Sequence, residues 1–180
     1  GLLGAGHGHA DQLHFDLSAF GEDVLTESGR YTYVFGPSRR EFKEISGHNT
    51  VAVEGVPLYD CKDSWGCGRL SRAVNRDFYS DSRYGYAEGG HLGWYDQGVF
   101  VNRRLIFLKP DVVIAVDEFY AGGSHTYRQF FHWGETGTLT AQEDGFIWKG
   151  RSCTARLRQV SAAPVSAAVK TGRVSRHYNQ

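Results

Sequence analysis

The chain has 180 residues, which is enough for one domain with a substantial core and too few for two domains of average size. Its 20 lysine and arginine residues balance 20 aspartate and glutamate residues, and this balance disfavours a general nucleic-acid binder or membrane-surface protein. The balanced net charge is still compatible with a local basic cleft that binds an acidic polymer. No apolar run is long enough to span a bilayer, and no signal peptide is visible.

Alternating polar and apolar residues predict strands along most of the chain. Within residues 98–123, two long alternating runs flank a Lys-Pro-Asp turn and predict a hairpin. The remaining predicted strands are short, and turn residues bound them. They lie at 13–20, 23–28, 49–55, 125–133, 144–150 and 153–160.

The sequence predicts an all-β fold, an antiparallel β-sandwich with many strands. No segment keeps a helical period for three turns, and 4 tryptophans, 10 tyrosines and 11 phenylalanines suit cross-strand pairs in wide sheets. We expect residues 57–90, the least patterned stretch, to form a long surface excursion with ragged strands. Residues 1–180 are interpreted as one domain, and we expect it to be a piece of a longer protein, truncated at both ends.

Three cysteines cannot all pair within one chain. Cys61 and Cys67 are compatible with a disulfide in an exported protein, and equally with buried or free thiols. Their spacing fits neither a zinc knuckle nor a CxxC redox site. The cysteines, with Cys153, therefore leave the compartment open.

A glycine-flanked pair of histidines, His7 and His9, opens the patterned part of the chain. Residues i and i+2 of a strand share a face, so both imidazoles can reach the same side of a sheet. His48, just ahead of a predicted strand, and Glu27, at the end of another, are further donors. Two imidazoles and a carboxylate form a common zinc shell. A polar turn with incidental histidines is the alternative.

Three motifs occur in order along the chain: HGHAD at 7–11, SGRYTY at 28–33 and HNTV at 48–51. Together they resemble the heparinase II/III-like family of polysaccharide lyases, which includes related alginate lyases. The likeness continues through the hairpin to residue 133, and it covers roughly residues 4 to 135. It implies a fragment of a larger enzyme, in which an α/α toroid of helices precedes the β-sandwich and the substrate lies between them.

The resemblance also implies an activity and a set of residues. The family breaks uronic-acid linkages in polysaccharides by β-elimination. His7 matches the histidine that faces the substrate, as a proton-transfer or carboxylate-neutralising group. His9, Glu27 and His48 match the ligands of a zinc ion, with glutamate at the position where the family usually has aspartate.

Candidate substrate-binding residues follow the second predicted strand. Tyr31 and Tyr33 can supply a phenol to the cleft. Arg39 and Arg40 can meet a carboxylate or sulfate, because a guanidinium binds such groups through two parallel hydrogen bonds.

The resemblance implies an acidic polysaccharide or oligosaccharide as ligand and the helical toroid of the same parent protein as partner. It implies a periplasmic or secreted location, and it gives no reason to expect nucleic acid or a membrane span. Exposed strand edges would allow a second copy of the chain to pair. The identity of the polymer stays open.

Two other functions compete with the lyase. A cupin-like barrel also opens its metal motif with HxH between glycines, and binding through His14 rather than His48 would favour it. A carbohydrate-binding β-sandwich without catalysis is the other, because this chain has no helical toroid of its own.

Overall fold

The computed structural model describes residues 7–60, 63–66, 68 and 71–180. Strands dominate it, and one α-helix (α1) runs Pro37–Lys43, followed by a 3₁₀ turn at Ile45–Gly47 and a later one at Tyr95–Gln97. The strands are Leu17–Ala19 (β1), Glu22–Leu25 (β2), Val51–Val53 (β3), Ala73–Ser80 (β4), Tyr84–His91 (β5), Val99–Leu108 (β6), Val112–Ala121 (β7), Tyr127–Gln129 (β8), Thr138–Gln142 (β9), Gly145–Lys149 (β10) and Thr154–Arg158 (β11).

Every strand pair is antiparallel. In the described part of the chain the strands form sheets of order β4-β5-β6-β7, β11-β10-β9, β1-β2 and β3-β8. The predicted hairpin of residues 98–123 is β6 and β7, which stay in register over ten residue pairs from Val99–Ala121 to Leu108–Val112. The all-β class and the antiparallel arrangement predicted from the sequence are confirmed.

The core lies between the four-stranded sheet and the β3–β8 pair. Val51 and Val53 of β3 and Val99 and Val101 of β6 are each 3% exposed or less, and they share one apolar cluster. Across the same interface the rings of Phe119 in β7 and Tyr127 in β8 stack with their centroids 3.8 Å apart. Two sheets thus bury their facing side chains against each other, which is the packing of a β-sandwich.

The segment that carries the histidine pair is held on this core without being a strand. Ala10 is buried in the apolar cluster, and its N–H donates to the carbonyl of Lys43 at 2.9 Å. Thr50, next to β3, donates its hydroxyl to the carbonyl of Gln12 at 2.5 Å. These contacts fix residues 9–14 against the edge of the sandwich.

Residues 57–90 differ from the expectation of a ragged excursion over part of their length. β4 and β5 are strands of eight residues each, and they pair with one irregularity between Val74 and Asp77. β4 is an edge strand whose residues are mostly exposed, so no buried face marks its sequence. Helix α1 and strand β9 were not predicted either. α1 has seven residues, which is shorter than the three helical turns that the prediction of a helix required. It begins at a proline, whose fixed φ suits a first helical position.

Two of the three cysteines, Cys61 and Cys67, lie outside the described residues. Cys153 is a free thiol immediately before β11. No helix in the described part of the chain is long and apolar enough to cross a membrane.

Candidate metal centre

His9, Glu27 and His48 meet at one edge of the sandwich. Each offers a ligand atom, and these atoms all lie within 4.8 Å of one another. Nδ1 of His48 is 2.9 Å from Oε2 of Glu27, and the imidazole centroids of His9 and His48 are 5.3 Å apart. His48 is fully buried, whereas the Glu27 side chain is 34% exposed. The group can hold a metal ion.

The surroundings favour the protonation states that metal binding needs. Burial, followed by the neighbouring His48 and Arg39, lowers the pKa of His9 to about 4. Burial opposes ionisation of Glu27, but the hydrogen bond and charge of His48 outweigh it and keep the pKa of Glu27 below its ordinary value. A neutral imidazole and an ionised carboxylate are the forms that bind metal.

The donor set fits zinc. Three protein ligands, two of them imidazoles, leave a fourth position for water or substrate. Nε2 of His48 is buried and has no hydrogen-bond partner among the described residues, as expected of a side chain placed for something other than packing. Glu27 stands at the position where the family resemblance implies an aspartate. Its Oε1 accepts the N–H of Gly29 at 3.3 Å, while Oε2 faces His48.

His14 lies next to this group but is not part of it. Its Nε2 is 3.3 Å from Oε2 of Glu27 and 3.1 Å from Oδ1 of Asp16, while its Nδ1 accepts the N–H of Asn49 at 2.8 Å. The cluster close enough to share an ion contains His48 and not His14. A metal bound through His14 would favour a cupin-like barrel. The cluster does not include His14, and the fold is built on two packed sheets.

Asn49 joins the segments that carry the three donors. Its side-chain N–H groups donate to the carbonyls of Phe15 and Thr26 at 3.0 and 3.2 Å. Its Oδ1 accepts the N–H of His132 at 2.5 Å. Asn49 is fully buried, so these bonds form in a low-dielectric interior and hold the segments in one arrangement.

Arg103, on the inner face of β6, supports the same region from below. Its Nη1 donates to the carbonyls of Leu13 and Asn49 at 2.7 and 2.8 Å. Its Nε and Nη2 form a two-pronged ion pair with Asp117 of β7 at 2.6 and 2.8 Å. Arg104 faces the opposite side of the sheet from Arg103, as expected for adjacent residues of a strand. Neither arginine lies at the surface that carries His7 and His9.

His7 lies on the exposed side of the group and contacts Tyr33. Its Nδ1 is 3.0 Å from the Tyr33 hydroxyl oxygen, which also accepts a hydrogen bond from Nη1 of Arg30 at 2.8 Å. Arg39 connects this pair to the metal centre, because its Nη1 is 3.2 Å from Nε2 of His9 and its Cζ is 5.1 Å from the Tyr33 ring centroid. His7, Tyr33 and Arg39 are therefore brought together with the three donors.

The two other predicted substrate-binding residues make their contacts elsewhere. Tyr31 stacks on Phe42 of α1 with the centroids 5.7 Å apart, and Cζ of Arg173 lies 5.9 Å from the Tyr31 centroid. Arg40 is exposed on α1, with its Cζ 4.9 Å from the Phe35 ring centroid. Their part in substrate binding stays a prediction.

Sequence reasoning missed four residues of this region. Arg30 belongs to the SGRYTY motif but was passed over, and His14 was considered only for the cupin alternative. Asn49 belongs to HNTV, where a polar residue inside an apolar run was the available signal. Trp65, which stacks on Tyr33, lies in the stretch without periodicity.

These features define a class of protein: a β-sandwich domain with a histidine–carboxylate group that can hold a metal ion, beside an open aromatic and basic surface. The family model described as heparinase II/III-like, C-terminal, matches residues 1–180. The chain belongs to this family of heparinase-like lyases, and the match extends over the residues after 135, where the motif likeness weakens. No curated protein and no solved structure matches the chain.

Proposed function

We propose that this domain is the β half of a lyase that cleaves uronic-acid-containing polysaccharide by β-elimination. The observation that carries the proposal is the hydrogen bond between Nδ1 of His7 and the hydroxyl of Tyr33, on the open side of the metal centre. An imidazole and a phenol in contact, both open to a ligand, are a pair that can take one proton and give another.

The chemistry of elimination explains why such a pair is needed. The C6 carboxylate of the uronate must be neutralised, the C5 proton removed and the O4 leaving group protonated. Electrons of the C5–H bond form the C4–C5 double bond as the C4–O4 bond breaks. His7 accepts the C5 proton, and Tyr33, whose oxygen accepts a hydrogen bond from Arg30, gives its own proton to O4. The imidazolium of His7 then returns a proton to the phenolate across the 3.0 Å contact.

Zinc held by His9, Glu27 and His48 would add positive charge beside the cleft and tie three chain segments together. Arg39 lies between this centre and Tyr33 and is only 1% exposed, so its guanidinium would attract the uronate carboxylate by its charge rather than by open contact. The helical toroid of the parent protein is proposed to close the cleft and supply the remaining groups. We also propose a periplasmic or secreted location, because the family resemblance implies it.

A carbohydrate-binding domain without catalysis is the second candidate. The stacked Tyr33–Trp65 pair favours it, because an exposed aromatic surface can bind a sugar without any proton transfer.

A double-mutant cycle in the full-length parent separates the two. If His7 and Tyr33 act as one unit, then His7→Ala, Tyr33→Phe and the double variant should all lose a similar factor in kcat, because removing either member disables the pair. The readout is the absorbance of the unsaturated uronate product. Turnover unaffected by either single change would leave the binding function and remove the catalytic one.

A further inference from the structure

Trp65 presents a large apolar surface to solvent right beside His7. Its indole is 56% exposed, whereas Trp94 and Trp148 are fully buried. The ring stacks on Tyr33 at 5.5 Å with an interplanar angle of 13°, and its centroid is 6.4 Å from that of His7. A single exposed apolar side chain needs no explanation, but Trp65 and Tyr33 together form a contiguous aromatic surface beside the His7–Tyr33 contact, which is typical of a ligand-binding surface.

The turn that carries Trp65 is tied down on both sides. Oδ1 of Asp63 accepts the N–H groups of Trp65 and Gly66, each at 2.7 Å. Nζ of Lys43, itself buried, donates to the carbonyl of Ser64 at 3.2 Å. The indole is therefore presented by a structured turn on the last residue of α1.

A cation flanks the aromatic surface. Cζ of Arg30 lies 5.0 Å from the Tyr33 centroid and 5.9 Å from that of Tyr178. Arg30 is exposed, and the ion pairs among the described residues give it no acidic partner. One of its N–H groups bonds to the Tyr33 hydroxyl, which leaves other donors of the fork for a ligand.

We propose that Trp65, Tyr33 and Arg30 form a sugar-binding subsite for an acidic saccharide, next to the ring that reacts at His7. A pyranose has an apolar face of C–H groups that packs on an aromatic ring. A carboxylate or sulfate accepts two parallel hydrogen bonds from a guanidinium group. The subsite rests on the proposed function, since it assumes that the cleft at His7 receives a polymer of acidic sugars. Oδ1 of Asp63, the acidic group of the turn, faces the backbone amides of Trp65 and Gly66.

Binding of defined tetrasaccharides to the 180-residue chain, measured by calorimetry, tests the subsite. The acidic probes are β-1,4-linked tetramannuronate and a heparosan tetrasaccharide. β-1,4-mannotetraose is the neutral control, because it differs from tetramannuronate at C6 alone. Trp65→Ala should raise the Kd for the acidic probe that binds about tenfold, whereas Trp65→Phe should stay within about threefold of the unaltered chain.

Arg30→Gln tests the charge. It should weaken the acidic probe about tenfold and reduce the preference for tetramannuronate over mannotetraose. Matched controls remove an exposed group from another part of the fold: Phe78→Ala, from a phenylalanine 76% exposed on β4, and Arg83→Gln, from an arginine side chain 83% exposed between β4 and β5. Neither control should change the Kd.

The proposal is overturned if neither acidic probe binds at millimolar concentration, or if Trp65→Ala and Arg30→Gln bind as the unaltered chain does. Thermal melts of each variant show that folding is retained. If His7→Ala abolishes turnover in the full-length parent but Trp65→Ala leaves KM unchanged, the subsite is contradicted and the lyase function is supported. If binding depends on Trp65 but His7→Ala leaves turnover unchanged, the subsite is supported and the lyase function is contradicted.

Discussion

Nδ1 of His48 and Oε2 of Glu27 lie 2.9 Å apart at the edge of the sandwich, and the imidazole of His9 closes the group. We expect the purified protein to carry about one zinc per chain. His9→Ala should remove most of it, because two remaining ligands hold the ion poorly. Elemental analysis of protein prepared without chelator measures the content.

His177→Ala is the control, because this histidine is exposed and is not one of the three donors. It should keep the zinc content of the unaltered chain. Zinc added to metal-free protein should also raise the melting temperature, since a ligand that binds only the folded state stabilises it. Protein without zinc, or a His9→Ala variant that keeps it, would contradict the assignment of these ligands.

The adjacent arginines of β6 should differ sharply in their contribution to stability. Arg103 is 2% exposed and pairs with Asp117 at 3% exposure, so Arg103→Met leaves a buried carboxylate without its cation. We expect a loss of about 3 kcal/mol in the free energy of unfolding. Arg104→Met, at a side chain 33% exposed, should cost about 1 kcal/mol or less.

Urea unfolding of the two variants gives both numbers. Because Arg103 also holds the carbonyls of Leu13 and Asn49, its loss should weaken zinc binding as well. Equal destabilisation by the two substitutions would show that the buried pair contributes no more than the half-exposed one, and unchanged zinc binding by Arg103→Met would show that the pair does not support the zinc ligands.

The sequence predicted those parts of the fold that a local pattern encodes. β6 and β7 are long runs rich in β-branched and aromatic residues on either side of a turn, and the division between Arg103 and Arg104 follows from the two-residue period of a strand. The proximity of His9, Glu27 and His48 also followed, through the order of the motifs rather than through periodicity. Their action as metal ligands stays a prediction.

What the sequence could not predict depends on contacts between distant segments. β4 is an exposed edge strand, so its residues AVNRDFYS show no buried face, and only pairing with β5 defines it. Trp65 acquires its position by stacking on Tyr33, which lies on another segment of the chain. The Asp-Ser-Trp-Gly sequence indicates a turn, but no local pattern says what the turn faces.

Acid should destabilise the protein partly through His91. Burial lowers the pKa of this ring from 6.5 to about 4, while Nδ1 accepts the N–H of Gly93 at 3.1 Å. The unfolded chain binds the proton below pH 6.5 and the folded chain only below about pH 4. The contribution of His91 is therefore complete above 6.5 and falls as the pH falls through this window, by about 3 kcal/mol in total.

His91→Asn isolates this contribution, because an asparagine can keep the acceptor for Gly93 and never takes a proton. The unfolding free energy of the unaltered protein minus that of the variant should fall by about 3 kcal/mol from pH 7 to pH 4. Other buried histidines, such as His9 and His132, titrate in both proteins and cancel in the difference. Parallel pH profiles would show that His91 is not held neutral by burial.

The last prediction concerns catalysis by the domain and by its parent. Elimination requires a base, an acid and a carboxylate neutraliser within hydrogen-bond reach of one sugar ring. The described residues bring together His7 and Tyr33 at an open surface, but Arg39 is buried, and the family resemblance implies that further groups lie on a helical toroid. We therefore expect no measurable unsaturated product from the 180-residue chain alone on alginate or heparan-type substrates.

In the full-length parent, the two histidines of the HGHAD motif should separate by mechanism. His7→Ala should lower turnover about 100-fold or more while zinc content and melting temperature stay unchanged, because an exposed proton-transfer group does not support the fold. His9→Ala should lower zinc content, stability and turnover together, because a metal bound only to the native state adds to the folding free energy. Robust elimination by the isolated chain would show that the catalytic residues are misplaced. A parent enzyme indifferent to His7→Ala would reduce the motif to a metal ligand and a turn.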